Sequence, residues 1–278
     1  MISKISIVTP CFNAERFIKE TVESVINQTA VISGRVELEY IICDGYSSDK
    51  TVDIIKDINS PLIKLISEPD AGMYSALSKG LQSTSGDIIA YINAGDYYHK
   101  CAFDIVLDLF EDKDKQVAWL TGYTILYNEQ SYALPQMLPY RYRSRLFNCG
   151  MYLSKLPFVQ QESTFWSSSL MNSCIDFECL ARFKSAGDFY IWKQFSNLEE
   201  LKIVEAYLGG FRRQRGQLSE NRAAYDREVS DLVVSPNLMD SIIASLDSAI
   251  FYFAPNKLKK ILNDRCVFRF NHSLQKWI

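Results

Sequence analysis

Strand-like and helix-like segments alternate four times in the first hundred residues of this 278-residue chain, and that alternation limits the fold more than any other feature. Lys4 to Pro10 reads as a strand stopped by its proline. Asn13 stands where it can cap a helix whose Phe17, Ile18, Val22, Val25 and Ile26 share one face. Val36 to Cys43 gives a second strand, Thr51 to Ile58 a helix started by Ser48 or Asp49, Leu62 to Ser67 a third strand, and Met73 to Leu81 a further helix. Ile88 to Ile92 is apolar throughout, as in a strand covered on both faces. Successive units of this kind build a parallel sheet with right-handed crossovers, so the predicted class is α/β.

Composition removes several functions. With 47% hydrophobic residues the chain can bury a substantial core. A net charge of -3 withholds the basic surface that nucleic-acid phosphates require, so no nucleic-acid partner is expected. The two histidines, His99 and His272, exclude a multi-histidine zinc site, and with no G-x-S-x-G they argue against a Ser-His-Asp hydrolase. Seven cysteines without a C-x-x-C pair read as reduced thiols. The amino terminus enters a strand without a signal-peptide region, and no apolar run approaches the ~18 residues of a membrane span. A soluble, cytoplasmic protein is the expectation.

The chemistry concentrates in residues 68 to 98, where a polar loop, a helix, a turn at Ser85-Gly86 and the apolar strand lead to Asn93-Ala-Gly-Asp96. Ligands of open α/β sheets bind outside the carboxyl ends of the strands. A carboxylate beside two small residues there leaves room for a hard cation carrying phosphate oxygens. Asp44 ends the second strand in the same way. Thr9-Pro-Cys-Phe-Asn-Ala14, Cys43-Asp-Gly-Tyr-Ser-Ser-Asp-Lys-Thr51, Ser67-Glu-Pro-Asp-Ala-Gly-Met-Tyr-Ser-Ala76 and Gly86-Asp-Ile-Ile-Ala-Tyr-Ile-Asn-Ala-Gly-Asp96 follow in order. Together they resemble the motifs of the family 2 glycosyltransferases with the GT-A fold. The resemblance continues more loosely through Gln160 to Trp166, Ala186 to Phe189 and Gly209 to Arg213. It implies a Rossmann-like, mostly parallel sheet flanked by helices over residues 1–219, with a nucleotide-binding half (1–98) and an acceptor half (99–219). Residues 220–278 match no motif and read as a helical C-terminal extension.

The activity implied by the resemblance is inverting transfer of a sugar from a nucleotide-diphosphate donor to a hydroxyl of a lipid-linked glycan, in bacterial surface-polysaccharide assembly. Thr9, Pro10, Asp70 and Gly72 fall within its donor-binding motifs. Asp44 corresponds to the carboxylate that reads the base or ribose, its alternative being a cap on the following turn. Lys79 faces the phosphates or is a solvated helix lysine, and Ser78 stands where most relatives have Asn. Asp96 corresponds to the ligand of a divalent cation, Mn²⁺ or Mg²⁺, while Gly95 replaces the acidic donor-binding residue before it. Asp188 matches the general base at a helix start, with stabilisation of the helix dipole as its alternative. Glu162 is the competing carboxylate and is assigned to gripping the acceptor. Arg212 or Arg213, in a run that includes Arg215, would clamp the diphosphate, or else is an ordinary surface arginine. Trp166 and Trp192 stack on a sugar or belong to the core.

In the extension, Ile242, Ile243, Leu246, Ala249, Ile250 and Phe253 share a helix face, and Pro255 ends that helix. Lys257, Lys259, Lys260, Arg265, Arg269 and Lys276 follow, with Asp264 the one acid among them. This face is expected to pack on the domain or on a second subunit, with peripheral contact to anionic lipid on the inner face of the cell membrane as the alternative. Two rival functions are a nucleotidyltransferase and a non-catalytic nucleotide-sugar-binding protein. The first wants a glycine-rich basic loop after the first strand, which Thr9 to Asn13 is not; the second is favoured by Gly95 and Ser78.

Overall fold

The alternating segments form the elements their periodicity predicts. In the computed structural model, which describes residues 2–134, 137–214, 216–217 and 220–278, the chain begins β1 (Lys4–Cys11), α1 (Ile18–Ile26), α2 (Thr29–Ile32) and β2 (Glu37–Asp44). It continues α3 (Thr51–Ile58), β3 (Ile63–Ser67), α4 (Met73–Gln82) and β4 (Ile88–Tyr91). The middle holds β5 (Tyr97–Tyr98), α5 (Ala102–Glu111), β6 (Trp119–Thr121), β7 (Leu126–Tyr127), α6 (Ser144–Asn148) and α7 (Met151–Ser154). Next come β8 (Thr164–Ser167), α8 (Ser168–Cys174), α9 (Phe177–Arg182), α10 (Gly187–Ser196), β9 (Lys202–Val204) and β10 (Gly209–Arg212). The last segment contains α11 (Arg222–Ser230), α12 (Leu238–Phe253), α13 (Asn256–Leu262), β11 (Val267–Phe268) and the hairpin β12 (Phe270–Asn271) and β13 (Lys276–Trp277).

The central sheet has the order β11-β9-β6-β8-β4-β1-β2-β3, and only β8 runs antiparallel to its neighbours. The carboxyl ends of all the other strands therefore share one edge with the amino end of β8. Register sharpens the convergence: Cys11 pairs with Asp44, and Asp44 with Ser67, so β1, β2 and β3 finish side by side. A small sheet, β5-β10-β7, lies over this edge. β4 is buried at every position, in accord with its unbroken apolar run. Helix α4 approaches β1 closely at Gly80, where a side chain would collide with the Val8 methyls and meet the Cys43 sulfur at 3.0 Å. Trp119, Trp166 and Trp192 are fully buried and packed on one another, with Trp119 and Trp192 stacked at 5.6 Å. That places Trp166 and Trp192 in the core, away from any sugar.

Three local expectations are corrected. Asn13 does not cap α1, which has no side-chain cap; at φ 48° its Oδ1 accepts the Ser48 N–H at 2.9 Å, clipping two neighbouring loops together. The C-terminal segment is not wholly helical, since β11 joins the edge of the central sheet parallel to β9. A two-residue strand is too short to carry a periodicity. Finally, most of the predicted apolar face of α12 does not pack on the domain, the first of the two packings expected for it, although Ile243 still touches the core. The helix buries Asp240, Ala244, Asp247 and Phe251, while Ile242, Leu246 and Phe253 face outward. Two charged forks turn it: Arg143 Nε donates to Asp247 at 2.6 Å, and Arg145 Nη2 to Asp240 at 2.7 Å. Desolvated carboxylates facing fixed guanidinium groups outweigh the burial of a few aliphatic side chains.

The close contact at Gly80 yields a stability prediction. Gly80→Val should lower the unfolding free energy by about 1–3 kcal/mol, the usual cost of overpacking a filled core, seen as a lower urea midpoint with an unchanged slope. An unchanged midpoint would show that α4 is not packed against β1 in this way.

Candidate active site

The donor motifs meet at the ends of β1, β2 and β3. Asp44 is buried, and both of its oxygens are engaged. The Ser67 hydroxyl donates to Oδ2 at 2.7 Å, the Ser47 N–H donates to the same oxygen at 3.1 Å, and the Ser47 hydroxyl donates to Oδ1. The turn-capping arrangement is thus present, in a loop whose Tyr46 has φ 66°. Asp70 comes so close that a side chain on Gly45 would lie 2.7 Å from its Oδ2. Its Oδ1 accepts the Gly72 N–H at 2.7 Å. Gly72 is required by its φ of 124°, not by crowding, because the space beside its Cα is open. Thr9 and Pro10 are buried in β1, the Thr9 hydroxyl being paired with Tyr40 at 3.0 Å.

Asp96 is positioned from β10. The Arg212 backbone N–H donates to its Oδ1 at 2.8 Å, and the Thr21 hydroxyl donates to its carbonyl at 2.7 Å. The Arg212 side chain is only 1% exposed. Its Nε donates to the Gly95 carbonyl at 2.8 Å, Nη1 to Ser131 at 3.1 Å and Nη2 to the Glu20 carboxylate. The guanidinium also lies over the Phe17 and Tyr97 rings. It anchors the acidic turn from beneath and differs in this from the expected phosphate clamp. Gly95 has φ 118°, so the turn is built for glycine, and an aspartate there would be strained.

Glu162 immediately precedes β8, and the reversal of that strand brings it to the same edge. It is buried, with its carboxyl in hydrogen-bonding reach of Asp96. Burial raises the proton affinity of both groups, and the charge of Asp96 raises that of Glu162 further. Asn93 donates from Nδ2 to Gln161 Oε1 at 3.1 Å, which leaves its Oδ1 buried without a donor. An acceptor-rich corner with one orphaned carbonyl oxygen suits a hard divalent cation whose remaining ligands are diphosphate and water. Asp96 and Asn93 are the residues that fit it; no larger metal-ligating cluster occurs among the described residues.

Asp188 occupies the first turn of α10 and faces this corner, adding to the negative charge felt by Glu162. Burial pushes its carboxyl up to about 6, against the opposing hydrogen bonds of Tyr225, Phe189 and Tyr74. Tyr225 Oη donates at 2.9 Å and the Phe189 N–H at 2.7 Å. Gly187 is needed because the Tyr74 ring occupies the space a side chain would take. The amino end of α10 is closed by Glu228 of α11, which accepts the N–H groups of Lys184, Ser185 and Ala186 at 2.8, 2.9 and 2.8 Å. Tyr74, Tyr225 and Glu228 were not singled out from the sequence. The last two lie in the segment that matches no motif, and only the packing of α11 on α10 brings them to the site.

The remaining candidates lie apart. Lys79 pairs with Glu68 at 2.7 Å on the exposed side of α4. Ser78 donates to the Phe177 carbonyl at 2.8 Å between α4 and α9. Arg213 is exposed beside the cleft strand β10. Arg215 falls outside the described residues.

The environment of Asp188 leads to a titration prediction. Tyr225→Phe removes a donor that favours the ionised form, so the Asp188 carboxyl should titrate above its present value of about 6. Carbon-13 NMR of that carboxyl would read the upward shift. An unchanged or lower value would mean that the phenol does not bond the carboxylate.

Comparison with known proteins agrees with this geometry. The sequence profile described as Glycosyl transferase family 2 matches residues 6–166. The chondroitin synthase of Pasteurella multocida (strain Pm70) is 32% identical over 116 residues, covering 41% of this chain and 11% of that protein. The Escherichia coli protein WfgD, a UDP-Glc:alpha-D-GlcNAc-diphosphoundecaprenol beta-1,3-glucosyltransferase, is 27% identical over 152 residues, 53% of this chain and 56% of that one. The chain thus spans about a tenth of the first relative and about half of the second. Among solved structures, S. aureus TarS 1-349 in complex with UDP-GlcNAc superposes with a TM-score of 0.61 at 14% identity, over 94% of this chain and 74% of that one. Glucosyl-3-phosphoglycerate synthase from Mycobacterium tuberculosis, in complex with Mn²⁺, UDP and phosphoglyceric acid, gives 0.55 at 18% identity over 85% and 80%. The fold is GT-A, and the chain belongs to glycosyltransferase family 2.

Proposed function

We propose that this protein is an inverting glycosyltransferase that takes a sugar from a nucleotide-diphosphate donor and adds it to a lipid-linked glycan during bacterial surface-polysaccharide assembly. The observation that carries the reading is the convergence of Asp96, Glu162 and Asp188 at one sheet edge, where Asp96, raised to about 7, is tied to the Arg212 N–H and Asp188, raised to about 6, stands at a helix start apart from that turn. Asp44 and Asp70 bind the nucleoside, Asp44 exchanging its serine partners for ribose or base donors. A divalent cation held by Asp96 and Asn93 would neutralise the diphosphate. Among the described residues of the arginine run, Arg213, exposed next to β10, is the one available to a phosphate.

In the reaction, the acceptor hydroxyl oxygen attacks the sugar anomeric carbon on the face opposite the diphosphate. The new carbon–oxygen bond forms as the bond to the phosphate oxygen breaks, and that electron pair leaves with the nucleoside diphosphate. The hydroxyl proton passes to Asp188. Burial and the charge of Asp96 raise the proton affinity of Glu162, which favours a hydrogen-bonding role toward the donor or acceptor for this residue. The substrates named for WfgD support a carrier-lipid-linked acceptor.

Asp188→Asn should reduce kcat by ~10²–10⁴ while calorimetry finds donor affinity nearly unchanged. In the unaltered enzyme kcat/KM should fall on the acidic side, because Asp188, at about 6, and the cation ligand Asp96, at about 7, must both be ionised, and the limb should lose the Asp188 step in the variant. If Glu162→Gln shows the kcat loss and Asp188→Asn only a raised acceptor KM, the two roles are exchanged. Asp44→Ala should weaken nucleotide binding by ~1–3 kcal/mol, and Asp96→Ala should abolish stimulation by Mn²⁺. Unaltered binding of UDP and GDP by both variants would mean the donor binds elsewhere. Absence of donor turnover in the presence of Mn²⁺ would favour the non-catalytic binding protein.

A further inference from the structure

We infer that the outward face of α12 and α13 is a seat for an anionic lipid surface. No helix among the described residues is long and apolar enough to cross a membrane, so such contact would be peripheral. At about 100° per residue, Leu238, Ile242, Leu246 and Phe253 fall within one arc of α12, opposite the buried arc of Asp240, Ala244, Asp247 and Phe251. The outer arc lies in solvent: Leu238 is 78% exposed, Leu246 60% and Phe253 86%. Beyond Pro255, α13 extends the surface with Leu258 and Ile261, the latter 63% exposed. Large contiguous apolar patches of this kind mark interaction sites on soluble proteins.

Charge identifies the occupant. Between Asn237 and Leu262 the only carboxylates are Asp240 and Asp247, and both point inward to Arg145 and Arg143. The outer surface keeps Lys257 exposed, and Arg265 follows just after α13. Lys276 is exposed as well, whereas Lys259 is buried and donates to the Leu138 carbonyl at 2.8 Å, Lys260 donates to the Asp264 carbonyl at 2.9 Å, and Arg269 is paired with Glu205. A face of large aliphatic and aromatic side chains, whose neighbouring exposed Lys257, Arg265 and Lys276 outnumber the one exposed acid Asp264, matches the headgroup boundary of an anionic bilayer. A second copy laid face to face would instead bring together two surfaces with the same excess of cations over the single exposed acid Asp264. This seat goes beyond the transfer reaction and stands independently of the assignment of Asp188.

The test is flotation of the full chain with phosphatidylcholine vesicles and with equimolar phosphatidylglycerol–phosphatidylcholine vesicles. The unaltered protein should float with the anionic vesicles and much less with the neutral ones, and added salt should weaken the binding. The double variant Ile242→Glu, Leu246→Glu alters only exposed positions and should keep its thermal melt while losing about tenfold or more of the floated fraction. The inference is overturned if the unaltered protein stays at the bottom of the gradient, or floats equally with both vesicle types, or if the variant floats as well as the parent. Light scattering that finds a dimer broken by the double variant, without flotation, would assign the face to a second copy.

Discussion

The site rests on one buried guanidinium. Arg212 holds the Gly95 carbonyl, Glu20 and Ser131 with its side chain and the Asp96 carboxylate with its backbone N–H. A charge buried this deeply is stable only when its donors are satisfied, so the groups around it are fixed as a unit. The unit spans distant parts of the chain: α1 supplies Glu20, the turn after β4 supplies Gly95 and Asp96, and β10 supplies the arginine. That turn must take up positive φ at Gly95 to present its carbonyl, which explains why an acid is absent there. The substitution belongs to the architecture of the turn.

On this base the sheet edge sorts carboxylates by environment. Asp44 and Asp70 sit among serine hydroxyls and backbone N–H groups, where acceptors for a nucleoside belong. Asp96 and Glu162 face each other in a buried corner beside the orphaned Asn93 oxygen. Asp188 stands on a helix start, held by two tyrosines and closed from behind by Glu228. The C-terminal segment is therefore built into the candidate site as well as forming a surface. Its α11 positions Asp188, and its β11 completes the central sheet.

Much of this was legible in the sequence because it depended on local rules. The β1 to β4 alternation, the limits of α3 and the acids at strand ends follow from periodicity and turn residues, and the family motifs extend that reading. What was not legible depended on tertiary pairing. Arg212 read as a surface or phosphate-binding arginine because nothing in Gly-Gly-Phe-Arg announces Glu20 as its partner, far away in sequence. Asn13 looked like a helix cap but bonds a neighbouring loop. The apolar face of α12 was expected to pack on the domain or on a second subunit, and that most of it turns away from the domain was not legible, since neither Asp240 nor Asp247 reveals that an arginine waits on α6 or just before it.

The central claim is that one nucleotide-diphosphate site is formed at the ends of β1, β2 and β4, with the base across from it on α10. A crystal structure with UDP and Mn²⁺ tests this most directly. The account predicts the nucleoside against Asp44 and Asp70, the cation between Asp96 and the diphosphate, and Asp188 on the open side with no contact to the nucleotide. Nucleotide bound instead in the cavity between α6 and the end of α10, lined by Trp119, Arg141 and Asn197, would contradict it.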